Sequence, residues 1–127
     1  MYNGMVTTTG ELGKRGEDFA CGYLVEKGFQ IIERNFGAPW GELDIVAKAP
    51  DKTLVFVEVK TVQGNNFQKL MPEDELTSAK VKKFEKIALF YANKNPQYID
   101  VRRGWRMDAI CLTEGGRNFS IAHYENI

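Results

Sequence analysis

Histidine is almost absent from this chain: among its 127 residues there is one, His123, close to the C-terminal end. Chemistry that needs a histidine base or several imidazole ligands is therefore hard to build, and His123 reads as a surface residue of the tail. Cysteine is scarce too. Cys21 and Cys111 are the two present, each within an apolar stretch and with no CxxC pair. That excludes a disulfide framework and leaves buried small hydrophobes in a reducing compartment as the plain reading. Net charge is missing as well, since Lys+Arg and Asp+Glu both number 17. Any phosphate binding must then come from a local basic patch. Finally, no apolar run is long enough for a transmembrane helix, and the N-terminus carries no signal-peptide pattern. A soluble cytoplasmic protein without a membrane partner is the expectation.

What is there suffices for one core. Hydrophobic residues make up 43%, and the length suits one domain spanning 1–127. Residues 1–9 read as a disordered lead-in. Thr8 or Thr9 can cap a helix running to about Lys27, which Gly28 ends. Ala20, Cys21 and Leu24 fall on one stripe of it, with Glu17 in the middle. "FQIIERNF" (29–36) reads as a first strand and "GAPWG" as its turn. Residues 42–48 and 54–61 read as the second and third strands. "VQGNNFQKLMPEDEL" follows, long enough at fifteen residues to be a functional loop. A second helix is expected over Ser78–Asn93, capped by Thr77 or Ser78, with Pro96 beyond its end. Val81, Phe84, Ala88 and Tyr91 form its apolar stripe. Lys82, Lys83 and Lys86 point away from that stripe, and Lys80 lies at its edge. "WRMDAICL" (105–112) and "FSIAHY" (119–124) complete the strands. Helix, three strands, helix, two strands predicts an α/β fold with one mixed sheet flanked by helices.

The second and third strands carry charges where packing alone would favour Val or Thr. Charged side chains are rarely buried without a partner or a metal. Alternation puts Glu42, Asp44 and Val46 on one face, and Phe56, Glu58 and Lys60 on one face of the next strand. A hairpin symmetric about Asp51 sets Asp44 opposite Glu58 and Glu42 opposite Lys60. Opposed carboxylates repel unless a cation lies between them. Mg²⁺ or Mn²⁺ suits such oxygen ligands, and the backbone carbonyl of Val59 could add another. A metal-bound water is a stronger nucleophile. Lys60 could stabilise charge on a phosphoryl oxygen or orient the water, and Glu17 could reach the same ion from its helix. The blander account makes Glu42–Lys60 and Glu58–Lys60 ordinary ion pairs on a solvated face.

Asp44 followed by Glu58-Val59-Lys60 resembles the PD-(D/E)XK nuclease superfamily. "GELDIVA" with "VFVEVKT" looks more narrowly like the YraN family, whose members resemble Holliday-junction resolvases. The likeness runs from about Gly13 to Leu112. "GKRGEDFACGYLVEKGFQIIERN" is similar to the family's first helix and strand, with Glu17 at its acidic position. "LTSAKVKKFEKIA" is similar to its second helix, with Lys80 at its lysine, and "RMDAI" to a later strand, with Asp108 at its aspartate. Two positions depart from the family pattern: Val62 follows Thr61 where relatives often have Arg, and Phe67-Gln68 stands where Phe-Gly is frequent.

The resemblance implies a restriction-endonuclease-like fold (αβββαβ core) and a metal-dependent endonuclease acting on DNA, branched forms included. Glu17, Asp44, Glu58 and Lys60 would be catalytic. Asp44, Glu58, the Val59 carbonyl and Glu17 would be the metal set. Lys80, Lys82 and Lys83 would contact nucleic acid, with Arg102, Arg103 and Arg106 able to extend the patch. A homodimer stays open. The alternatives are a non-catalytic nucleic-acid-binding module on the same fold and a scaffold whose charges are structural.

Overall fold

A computed structural model of the protein describes residues 9–64 and 72–127. Residues 1–8 of the expected lead-in, the Thr8 cap and the Phe67-Gln68 departure lie outside the described residues, while Thr9, expected as the last residue of the lead-in or as a cap, already belongs to the first helix. The elements are α1 (Thr9–Glu26), β1 (Gln30–Ala38), β2 (Gly41–Lys48), β3 (Leu54–Gln63), α2 (Ser78–Lys94), β4 (Trp105–Gly115) and β5 (Asn118–Tyr124). Short 3₁₀ turns at Pro72–Glu75 and Pro96–Tyr98 flank α2. The expected order of helices and strands holds, with ends moved by one to three residues.

Each helix ends where its chemistry demands. At the end of α1, Gly28 adopts φ +92°. Its N–H donates to the Val25 carbonyl, and the Phe29 N–H donates to that of Leu24. This glycine-terminated pair of bonds satisfies carbonyls that the helix leaves open. At the start of α2, Thr77 Oγ1 accepts from the Lys80 N–H at 3.3 Å. Asn95 and Pro96 stop α2 at the other end.

The five strands form one sheet in the order β1-β2-β3-β4-β5. β1-β2, β2-β3 and β4-β5 are antiparallel, while β3 and β4 run parallel. The parallel pair requires a crossover, which α2 supplies. Packed against one face, α2 buries Phe84, Ile87, Ala88 and Tyr91 on Val46, Leu54, Phe56 and Met107. On the other face α1 buries Ala20 and Leu24 against Ile45, Ala47, Val55, Val57, Ile110 and Leu112. A β-carbon at Gly16 would overlap Thr61 Oγ1, so a glycine lets α1 approach β3 closely.

Two corrections concern β2. Strict alternation would place Leu43 and Ile45 on one face, yet Leu43 joins the α2 core and Ile45 the α1 core. The strand therefore rotates at Asp44. The same reversal occurs across the ladder on β1, where Arg34 turns to α1 while Phe36 stacks on Tyr91 of α2. Between them Asn35 takes φ +54°, a left-handed geometry that asparagine tolerates. The second correction concerns register. β2 and β3 pair from Lys48↔Leu54 to Ile45↔Val57, consistent with a hairpin centred on Asp51. There the ladder stops. β2 continues beside β1 to Ala38↔Gly41, and β3 continues beside β4 to Gln63↔Glu114. Asp44 and Glu58 are thus the first residues beyond the last β2–β3 pair, at a fork in the sheet. Glu42 and Lys60 are not paired.

A carboxylate cleft at the fork of the sheet

The fork opens into a cleft of about 310 Å³ lined by Gly41, Glu42, Asp44, Glu58, Val59, Lys60 and, from α2, Lys80, Lys83, Phe84 and Ile87. Asp44 Oδ2 accepts the Val59 N–H at 2.8 Å, so this carboxylate substitutes for a strand carbonyl where the ladder ends. The substitution ties Asp44 to β3 and turns it toward Glu58. Lys60 Nζ lies 3.5 Å from Glu58 Oε2. The Glu58–Lys60 ion pair of the blander account is therefore formed, but on side chains only 19% and 25% exposed, not on a solvated face.

Asp44 is short of positive charge. Burial, then the neighbouring Glu58 carboxylate, and more weakly Glu17, push its pKa up to about 8, against the lowering effect of the Val59 N–H. A carboxyl in that condition holds a proton near neutrality or accepts a cation in its place.

Glu17 is where its stripe suggested only in part. The buried line of α1 passes through Leu12, Gly16, Ala20 and Leu24, one residue before Glu17. Glu17 sits on the shoulder of that line, 15% exposed, and accepts from Arg34 Nη2 at 3.2 Å. The same guanidinium reaches Asp18 at 2.7 Å and holds that carboxyl below its usual range. Sequence reasoning missed Arg34; its signal was the charged pair Glu33-Arg34 in the middle of the "QIIERNF" strand. Among the described residues, no group of three or more His, Cys, Asp or Glu is arranged to hold a metal.

The basic residues divide. Lys80 and Lys83 line the cleft, and Lys82 does not. Lys80 Nζ is 3.4 Å from Glu75 of the neighbouring 3₁₀ turn. Arg102 and Arg103 border the β2–β3 turn beside Pro50, Asp51 and Lys52, at the opposite end of the hairpin from the fork. Arg106 is committed to Asp108 at 2.9 Å. The three arginines therefore do not extend the patch of α2, because β4 begins at the far end of the sheet.

Asp108 lies outside the cleft and is fully buried. It receives Arg106, the Asn126 N–H at 3.0 Å, and His123 Nε2 at 2.8 Å. Nδ1 of His123 lies 3.0 Å from the Tyr23 hydroxyl. His123 is thus no tail surface residue. Its side chain is 9% exposed, and it joins α1 to β4 through β5. The signal available in the sequence was its place in the alternating "FSIAHY".

A mixed α/β chain with a five-stranded sheet, two covering helices and a carboxylate–lysine cleft is what these elements define. The chain belongs to the family described as "Uncharacterised protein family UPF0102", whose model matches residues 16–112. Relatives bearing that family's name include a protein of Pelobacter propionicus, 41% identical over 115 residues, covering 90% of this chain and 79% of its own. One from Thermodesulfovibrio yellowstonii is 38% identical over 91% of this chain and 94% of its own. Another, from Campylobacter concisus, is 38% identical over 91% of each chain. The family match begins at Gly16 and takes in Glu17, Asp44, Glu58, Lys60 and Lys80. Among the described residues, no helix is long and apolar enough to cross a membrane.

Proposed function

We propose that this protein is a metal-dependent endonuclease that hydrolyses DNA phosphodiester bonds, on a restriction-endonuclease-like αβββαβ core of the PD-(D/E)XK and YraN kind. The observation that carries the reading is the meeting of Asp44, Glu58 and Lys60 at the fork, where burial and the Glu58 carboxylate push the pKa of Asp44 up to about 8. The donor set fits a hard divalent cation, since both side chains offer oxygen and their mutual repulsion is what such an ion relieves. Asp44 and Glu58 would hold Mg²⁺ or Mn²⁺, with the carbonyl of Val59 as a further oxygen. When bound, such an ion lowers the pKa of a coordinated water and offsets charge on a phosphoryl oxygen.

The chain's own residues supply the rest. Lys60 cannot ligate a metal while protonated, because an ammonium has no lone pair. Placed beside Glu58, it suits charge that builds on the phosphoryl group in the transition state. Lys83 and Lys80 on α2 face the same opening and suit the flanking phosphates. Glu17 acts on the site through space, by raising the proton affinity of Asp44.

A second reading, a nucleic-acid-binding module that does not cut, is favoured by the engagement of Glu17 with Arg34 and of Lys80 with Glu75. One assay separates the two. Linear, branched and single-stranded DNA and RNA are incubated with Mg²⁺, Mn²⁺ or EDTA. Metal-dependent cutting of DNA that disappears in Asp44→Asn supports the nuclease. Binding without cutting under every metal replaces it with the module.

A further inference from the structure

The β1–β2 turn is only Pro39-Trp40, closed by Ala38↔Gly41. So tight a turn projects Trp40 from the end of the hairpin, next to Gly41 and Glu42 on the cleft wall. Trp40 is 37% exposed. Phe90 of α2 meets it edge-on, with ring centroids 4.8 Å apart. The Phe36 ring lies tilted against Phe90, with centroids 6.3 Å apart. Lys94 Nζ lies 4.9 Å from the centre of the Phe90 ring. On α2 the spacing Lys83, Ile87, Phe90, Lys94 follows one face of the helix. That face runs from the cleft, where Lys83 and Ile87 stand, to the aromatic pair and its lysine. Lys83 and Lys94 are about 16 Å apart along the axis.

An exposed aromatic near lysines and beside a carboxylate–lysine cleft has a specific chemistry. Every nucleobase has a π-face, and a base can use it against an aromatic ring only when it is out of the duplex stack. We propose that Trp40, backed by Phe90, is a stacking platform for an unpaired nucleobase. The strand's phosphates run between Lys94 and Lys83 toward Asp44 and Glu58. The platform would make single-stranded segments, such as those at flaps and branch points, the preferred DNA of this cleft. This inference rests on the nucleic-acid reading above and narrows its substrate class.

The test uses the full chain with Asp44→Asn throughout, so that no strand is cut. Trp105, packed on Phe56, is replaced by Phe so that Trp40 is the sole indole emitter. Oligothymidylate should quench that emission. Trp40→Ala should weaken oligothymidylate binding about tenfold or more and blunt duplex binding less than twofold, and Trp40→Phe should restore most of the loss. If duplex binds but Trp40→Ala leaves oligothymidylate affinity unchanged, or weakens both equally, the platform is refuted while the nucleic-acid reading stands. If Trp40 emission instead follows protein concentration without DNA, the patch is an interface between copies and the proposal falls. If no DNA or RNA binds the Trp40 chain at all, the platform and the reading beneath it fail together.

Discussion

Two aspartates of one sheet, the half-buried Asp44 on β2 and the fully buried Asp108 on β4, have opposite surroundings. Asp108 accepts from a guanidinium, an imidazole and a backbone N–H. Burial raises its pKa, but His123, Arg106 and Asn126 together outweigh that and leave it lowered. Asp44 accepts one backbone N–H and faces a second carboxylate, so burial wins and its pKa rises to about 8. A fully partnered carboxylate welds elements together. An underpartnered one keeps an affinity for positive charge that only a proton or a ligand can meet. The contrast separates a carboxylate whose partners are complete from one left short of positive charge.

The comparison breaks most readily at Asp108. Asp108→Ala strands Arg106, His123 and the Asn126 N–H, and should cost about 3–5 kcal/mol of unfolding free energy in urea denaturation. An effect below about 1 kcal/mol would mean the network is not a weld. Because the folded pKa is depressed, the stability from Asp108 is present above the ordinary carboxylate range and is lost as pH falls through the folded value. The variant should therefore show a weaker acid limb.

Lys60→Ala comes next. It should leave the fold and Mn²⁺ binding intact and slow DNA cleavage about 10²–10³-fold, by analogy with the loss of one preorganised donor. Equal rates in both proteins would refute the mechanism proposed for the cleft.

Asp44→Asn tests the opposite sign. Asn keeps an oxygen for the Val59 N–H but carries no charge. In the wild type the folded pKa lies above the unfolded one, so the native state binds more protons between about pH 4 and pH 8, and stability declines as pH rises across that window. Without divalent metal at pH 8, Asp44→Asn should be more stable than the wild type, and calorimetry should find its Mn²⁺ binding lost. A variant less stable than wild type at pH 8, or binding Mn²⁺ equally, would erase the distinction between the two aspartates.

The smallest effect sharpens the comparison between the two ends of the β2–β3 hairpin. Lys83→Ala should reduce the slope of log DNA affinity against log salt by about 1, whereas Arg102→Ala at the far end should leave it unchanged. Equal changes would make binding diffuse instead of local to the cleft.

Much of the molecule could be read without its structure because the decisive signals are local. Thr77, Gly28 and Pro96 mark helix ends through backbone geometry that each residue type imposes by itself. The hairpin centre at Asp51 follows from two apolar runs of matched length, and the runs carry Asp44, Glu58 and Lys60 at a spacing set by the pleat. What depended on distant parts of the chain was not legible. The end of the β2–β3 ladder arises because β2 follows β1 and β3 follows β4 past Ile45↔Val57. The rotation at Asp44 matches the left-handed Asn35 on the neighbouring strand. Arg34 meets Glu17 across 17 positions, and His123 meets Asp108 and Tyr23 across 15 and 100. Composition and periodicity carry no term for such encounters. The sequence by itself determined the elements, their order and the charged residues of the cleft, since propensity, capping and alternation act within a few residues. Only the tertiary structure decided which carboxylate is satisfied and which is not, because burial and partner charges exist only once the sheet and its helices have closed around them.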